Sequence, residues 1–383
     1  MGYSLSVSSP ERAREIQSVL GLSCVPGVGT RGLWRILQRF GSGQRALDAS
    51  PGELAAAAGK DCGGVLASAG LDRRVRAALE RCHALEVEIL LWSDEGYPER
   101  LGHLVDPPPV LFARGRLELL GRPSVTIVGS RRSTAYGRRS AEALAAQLAL
   151  RGITVVSGLA LGIAGASHRG GLEVGGDTIA VLGSGVDLIQ PASHRRLGER
   201  VASEGLLLSE FLPGEPARAH HFPRRNRIMA ALSSPIVGVE AAEKSGALIT
   251  VEHALDLGRD VYAVPGALDA PQSRGCNMLI RQGAQAITSP EEFGRDLGLV
   301  CGSAVDCRAG SGPSSAARDV VPAGLDDEAR HVWLALSERS VGIDDVASGA
   351  DLQSARVLAA LTILQVGGLV VQESGMRFRR ASL

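Results

Sequence analysis

Two clusters of side chains carry most of the chemistry this sequence offers. The first is Arg131-Arg132, directly after Gly129-Ser130; the second is His220-His221-Phe222-Pro223-Arg224-Arg225-Asn226-Arg227-Ile228. A guanidinium is a planar fork that meets two phosphate oxygens at once and lies flat on a base. Arginine beside phenylalanine is how unpaired nucleic acid is held without its sequence being read: cations on the phosphates, a ring against a base. The expected ligand is therefore negatively charged and rich in phosphate. No Cys–His or Ser–His–Asp arrangement can be defended from spacing, and we expect no catalytic residue. His168, in Gly165-Ala166-Ser167-His168-Arg169, reads as a hydrogen-bonded structural residue. Glu210 and Glu240, each after an apolar run, read as carboxylates that fix loops. Gly129 is followed by Ser-Arg-Arg-Ser and then no glycine before Gly137, so the Gly-x-Gly-x-x-Gly fingerprint is missing and no cofactor is expected.

The elements that must position these groups follow from local pattern. Residues 125–128 are a short apolar run with β-branched members, the mark of a buried parallel strand. Gly129 suits a tight turn. Ser130, Ser133 and Thr134 are candidate helix caps, and Ala141, Leu144, Ala145 and Leu148 give the helical spacing that Gly152 would end. Arg131 and Arg132 then sit between a strand's carboxyl end and a helix's amino end, where open α/β sheets bind ligands and unpaired N–H groups attract anions. Further strands are expected at 153–156, 178–182, 206–208, 235–239 and 260–264, with helices between. That alternation argues for an α/β fold with a mostly parallel, extended Rossmann-like sheet over residues 86–296. Its strand-end loops, including Ser157-Gly158, Gly183-Ser184-Gly185, the stretch through Ser245-Gly246, and Pro265-Gly266, should gather on one edge.

Residues 1–85 read as a small helical domain. The turn Val25-Pro26-Gly27-Val28-Gly29 between two apolar faces has the form of a helix-hairpin-helix, whose backbone N–H groups can meet a phosphate. Residues 297–322 lose periodicity and fill with Gly, Ser, Ala and Pro, a linker. Residues 323–383 read as three helices and a hairpin, a winged helix whose third helix carries only Arg356 as a base. That helix is poorly equipped to read a major groove.

Composition narrows the classes. The chain has 383 residues and zero formal net charge, so nucleic-acid affinity must come from a local patch. Of 41 basic residues only Lys60 and Lys244 are lysine. The cysteines at 24, 62, 82, 276, 301 and 307 show no CxxC spacing, so neither a metal site nor a disulfide framework is expected. With no signal-peptide pattern and no apolar run of membrane-spanning length, the expectation is a cytoplasmic protein with no membrane contact.

The motifs Ile127-Val128-Gly129-Ser130-Arg131-Arg132, Val156-Ser157-Gly158-Leu159-Ala160, Phe222-Pro223-Arg224-Arg225-Asn226-Arg227-Ile228, Ser245-Gly246-Ala247-Leu248-Ile249-Thr250, Gly258-Arg259-Asp260 and Gly275-Cys276-Asn277-Met278-Leu279-Ile280 occur in one order. Together they resemble the DNA-processing protein A family, also called Smf. The resemblance implies a helical amino-terminal domain, an extended Rossmann domain and a winged helix. It also implies single-stranded DNA binding in natural transformation, loading of a RecA-type recombinase, and a homodimer joined through the Rossmann domain. By resemblance Arg131 grips phosphate, and Phe222 and Arg225 lie on the strand-binding rim. Adding the neighbouring loop residues gives an expected DNA-binding set of Gly129, Ser130, Arg131, Arg132, Ser157, Gly158, Phe222, Arg224, Arg225, Asn226, Arg227 and Ser245. Asn277, Met278, Leu279 and Ile280 resemble the segment near the dimer contact. The chain departs from the family at Leu161 and Ala164, which replace a basic and an acidic residue, and at Gln190, where tyrosine is common. Two other readings compete. A Rossmann-type nucleotide phosphoribohydrolase would use Ser245 through Glu252 as its Thr-rich loop and glutamate. A duplex-binding regulator would use the winged helix.

Overall fold

The structure is a computed structural model that describes residues 9–59, 73–305, 327–336, 341–342, 346–347, 350, 352, 354–366, 369–373 and 377–380. Strand β3 (Ser124–Gly129) is buried along its length but for its last residue. Its side chains alternate between two cores, as a strand's must. Val125 and Ile127 pack with Ala141, Leu144 and Leu148 of α6 (Ala135–Ala149). Val128 packs with Ile228 and Met229 of α9 (His221–Leu232) and with Leu248 and Val251 of α10 (Gly246–Asp256). On that same face the Thr126 hydroxyl donates to the Met229 carbonyl at 3.0 Å. Helix α9 thus lies across the sheet beside β3 with its first turn at the sheet's carboxyl edge.

Parallel strands extend from β3 in both directions. On one side come β4 (Thr154–Ser157), β5 (Thr178–Val181) and β6 (Leu206–Ser209); on the other β7 (Ile236–Val239), β8 (Val261–Ala263) and β9 (Gln285–Ala286). Helices α7 (Ile163–Glu173), α8 (Arg195–Glu204) and α11 (Arg274–Arg281) lie between strands. Two antiparallel strands lengthen the β6 side: β2 (Val110–Gly115) pairs with β6, and β1 (Glu88–Leu91) with β2. The order is β1-β2-β6-β5-β4-β3-β7-β8-β9. The chain reverses its direction of travel at β3, and that switch point opens a crevice outside the strand ends.

Helices α1 (Pro10–Ser23), α2 (Thr30–Phe40), α3 (Gly43–Asp48), α4 (Pro51–Ala58) and α5 (Arg73–Ala84) share a core with the β1–β2–β6 end of the sheet, Leu22, Leu33 and Ile36 lying in one cluster with Phe112 and Leu207. Helices and sheet form one compact unit, Met1–Arg308, and Ala309–Leu383 forms a second. The Pro-Gly-x-Gly turn joins α1 to α2 with Gly27 at φ +87°. The turn faces the sheet: the Thr30 hydroxyl accepts from Arg224, and Arg31 pairs with Asp106 at 3.3 Å. Helix α12 (Pro290–Val305) runs through residue 297, where the sequence placed the start of a linker; the rest of that segment, 306–322, lies outside the described residues.

In the second unit, α13 (Asp327–Ala335) and α14 (Ser354–Val366) enclose Val332, Trp333, Val357 and Leu361. The expected hairpin is β11 (Val370–Glu373) with β12 (Arg377–Arg380), and an unanticipated strand β10 (Val341–Gly342) adds to it in the order β10-β12-β11. Of the stretch where a helix is expected to begin at 343, Val346, Ala347 and Ala350 fall among the described residues and are helical. Arg356 is ion-paired with Glu328.

Candidate nucleic-acid interface

The turn after β3 is held from behind. A Cβ on Gly129 would overlap the Val239 carbonyl and the Ile163 side chain, so only glycine lets β3 and β7 approach here. The Ser130 N–H donates to the Glu240 carbonyl at 2.6 Å, and the Ser130 carbonyl accepts from the Ile163 N–H at 3.2 Å. The Glu240 carboxylate accepts from the Thr134 N–H at 2.8 Å and from the Thr134 hydroxyl. Thr134 in turn caps α6 by accepting from the Gly137 N–H at 3.2 Å. With its backbone so fixed, the loop turns Arg131 and Arg132 outward. Both are exposed, and neither guanidinium has a hydrogen-bonded or ionic partner among the described residues.

The turn after β4 is clamped by two histidines. Leu159, at φ +53°, donates its N–H to His168 Nε2 at 3.3 Å, and its carbonyl accepts from His194 Nδ1 at 2.9 Å. His168 Nε2 therefore carries no proton, and its Nδ1–H donates to the Thr178 hydroxyl at 2.7 Å, which donates to the Val155 carbonyl. Complete burial, with nearby His194, Arg225 and Arg169, holds His168 down at about 3, so the ring is neutral. His168 is structural, as its sequence setting implied, and the Glu240 bonds show that carboxylate fixing a loop.

Helix α9 supplies the third wall. Phe222 is half-buried, its ring over Gly183. The Arg131 guanidinium carbon lies 4.5 Å from the ring centroid, and that of Arg225 lies 5.9 Å away. These loops and the start of α10 enclose an open groove of about 600 Å³ at the switch point, lined by Gly129, Ser130, Arg131, Arg132, Ser157, Gly158, Phe222, Arg225, Asn226 and Ser245 among others. Three arginines line it and no carboxylate does. Two guanidinium groups beside one ring repel each other, and an entering anion relieves that repulsion.

The arginine run does not enter the groove as a set, contrary to the sequence expectation. Arg224 and Arg227 reach Glu210 Oε2 at 3.1 and 2.7 Å, with the Glu210 side chain 3% exposed. Arg224 also lies over the Phe211 ring, and Arg227 donates to the Asp106 carbonyl. Successive helical residues are rotated by about 100°, so four neighbours cannot share a face. Arg225 does point at the groove but is 5% exposed, donating to the carbonyls of Gly158, at 2.8 Å, and Val181. Burial first, then Arg131, brings its pKa down to about 10. Asn226, 7% exposed, donates to the Gly246 carbonyl. Ser245 caps α10. Gly246, Ala247 and Thr250 also line the groove; they belong to the Ser245–Thr250 motif, of which the sequence reading singles out only Ser245. Ala164 lines it too, while Leu161 is 47% exposed. Away from the groove, Asn277 grips Gly266 through two hydrogen bonds, Leu279 is buried in the core, and Met278 and Ile280 are half-buried against it.

The chain matches the family described as DNA recombination-mediator protein A over residues 88–298, and the DprA winged helix domain over 316–376. It is 36% identical over 327 residues to the Smf protein of Synechocystis sp., spanning 79% of this chain and 82% of that one. It is 43% identical over 199 residues to the DNA processing protein DprA of Streptococcus pneumoniae, 52% of this chain and 70% of that one. The solved structure of the pneumococcal protein matches with a TM-score of 0.63 at 33% identity, covering 73% of this chain and 95% of that one. DNA processing protein A of Helicobacter pylori, studied for its mode of binding single-stranded DNA, matches with a TM-score of 0.52 at 31% identity, covering 56% and 96%. With more than half its length matched to the family and a relative paired over most of both chains, the protein belongs to the DNA recombination-mediator protein A (DprA/Smf) family.

Proposed function

We propose that the groove at the switch point holds single-stranded DNA. The observation that carries this is the placing of two unpaired arginines and one aromatic ring in a carboxylate-free groove, Arg131 lying 4.5 Å over Phe222. Arg131 and Arg132 take phosphates, and Phe222 stacks a base. The backbone atoms of Gly129, Ser130, Ser157 and Gly158 and the cap at Ser245 shape the walls. In this reading the protein is a non-catalytic recombination mediator of natural transformation. It works in the cytoplasm as a homodimer, with the 277–280 segment near the contact, and hands the strand to a RecA-type recombinase. Among the described residues no helix is long and apolar enough to cross a membrane. The competing readings have less to stand on: Glu252 is exposed and does not line the groove, and Arg356 is occupied by Glu328.

Fluorescence anisotropy of labelled oligonucleotides against salt tests the binding. Affinity should fall with a slope of about −0.7 per phosphate neutralised, alike for all sequences, and unlabelled duplex should compete poorly. Salt-independent binding, or none, ends the proposal. Pull-down of the recombinase with and without residues 323–383 tests the partner and the part the winged helix plays in it.

A further inference from the structure

Phe222 is not the sole aromatic ring at this edge of the sheet. Tyr136, in the first turn of α6, is 45% exposed. Its hydroxyl donates to the Pro265 carbonyl, just beyond β8, at 2.9 Å. That single bond satisfies the polar end and tethers the ring, and the ring has no aromatic or guanidinium neighbour among the described residues. A tethered ring has already lost much of the freedom that binding would otherwise cost.

Its setting is cationic. Helix α6 has no acidic residue in its first turn. Arg132, Arg138 and Arg139 flank Tyr136 in sequence, all exposed and none in an ion pair among the described residues. The Glu240 carboxylate, bonded to the Thr134 N–H and hydroxyl, already answers the dipole at this helix amino terminus, so the exposed guanidinium groups are what would draw a phosphate here.

We propose that Tyr136 is a second stacking platform for a single strand, on the far side of β3 from Phe222. The inference rests on the reading of the groove given above and extends it. Phe222 lies over the loop after β5, and Tyr136 is tied to the loop after β8, four strand intervals away in the order β5-β4-β3-β7-β8. At ~4.8 Å per interval those two loops are roughly 19 Å apart along the sheet edge. Arg131 and Arg132 leave β3 between the two rings. A strand with one base on Phe222 and its phosphates on these arginines leads toward the α6 amino terminus, where Tyr136 meets a later base.

The test uses the full chain, Tyr136→Leu and Tyr136→Phe variants, and labelled single strands of increasing length. Tyr136→Leu should bind long strands about tenfold more weakly, within the range for loss of one base stack, with an unchanged salt slope. It should match the parent on the shortest strand that binds, and Tyr136→Phe, which keeps the ring but loses the tether, should lose clearly less than Tyr136→Leu on long strands. The platform is refuted if the parent binds and Tyr136→Leu equals it at every length, or if Tyr136→Phe loses as much, since the tether alone would then matter. Failure of the unmutated protein to bind any strand removes the parent reading and this platform together.

Discussion

The sharpest consequence of the geometry concerns Arg225, which the sequence groups with phosphate-gripping arginines and the structure places behind the ring. An arginine that neutralises a phosphate releases counterions, and its removal flattens the salt dependence by about 0.7 in slope. An arginine that only positions others lowers affinity and leaves the slope alone. Arg131 and Arg132 are exposed on the groove, so about two phosphates are neutralised and the slope is about −1.4, a sevenfold loss between roughly 50 and 200 mM salt. Arg131→Ala should halve that slope. Arg225→Gln should not change it, because the residue is 5% exposed and its guanidinium donates to the carbonyls of Gly158 and Val181. Its loss leaves those carbonyls short of a donor, at about 1–3 kcal/mol for an unsatisfied buried group. It also frees the Phe222 ring on one side, so up to the stacking contribution of ~1–3 kcal/mol is lost from binding. Anisotropy titrations at four salt concentrations, with chemical denaturation alongside, separate the cases. A slope that falls by about 0.7 in Arg225→Gln would show the guanidinium on a phosphate and refute the positioning role.

Other outcomes follow from the same contacts. Glu210→Ala strands Arg227, whose side chain is 7% exposed, and should destabilise the fold by about 3–5 kcal/mol in urea unfolding; Arg224→Ala, at a side chain 39% exposed, should cost far less. His168 titrates at about 3 when folded, below its ordinary 6.5, so its contribution is whole above about pH 6.5 and is lost as pH falls toward 3, at ~1.4 kcal/mol per unit. Denaturation midpoints should therefore drop between pH 6.5 and 4.5, and His168→Gln, weaker at neutral pH, should show a shallower decline. Phe222→Ala should lower single-strand affinity by about 5- to 150-fold while Phe222→Trp retains it, read by the same anisotropy assay.

What the sequence made legible was local. The run at 125–128 appears as β3 one residue longer at each end, and the apolar face of α6 and its cap at Thr134 are where the pattern put them, whereas the helix ends on Leu150 and Gly152, at φ +70°, turns the chain two residues later. A buried strand and an amphipathic helix are written in consecutive residues. Pairing is not. Nothing in residues 110–115 says that β2 will skip its sequence neighbour β3 and run antiparallel to β6. For that reason the helices before residue 85, read as a separate domain, share a core with the sheet. The division of labour within Arg224–Arg227 was partly accessible, since a helix turns four consecutive side chains to different sides; that Glu210 waits on one of those sides depended on where β6 lies.

The groove's charge follows from that same arrangement. With 41 basic and 41 acidic residues the chain has no excess to spend, so a cationic groove requires the nearby carboxylates to be used elsewhere. They are: Glu210, after β6, is taken by Arg224 and Arg227, and Glu240, after β7, by the Thr134 hydroxyl and N–H. Each carboxylate is withdrawn into the wall, Glu210 by two arginines of α9 and Glu240 by Thr134 at the start of α6, and Arg131, Arg132 and Arg225 line the groove without an acidic residue beside them. Removing a brace should thus loosen a loop and also release a carboxylate toward the groove. Conservative loss of the charge alone, as in Glu240→Gln, tests this directly. The amide oxygen can still accept from the Thr134 N–H while its NH2 donates to the Thr134 hydroxyl, so single-strand affinity should hold near the unmutated value, whereas Thr134→Val, which keeps the charge but drops one of its tethers, should weaken binding more than Glu240→Gln does.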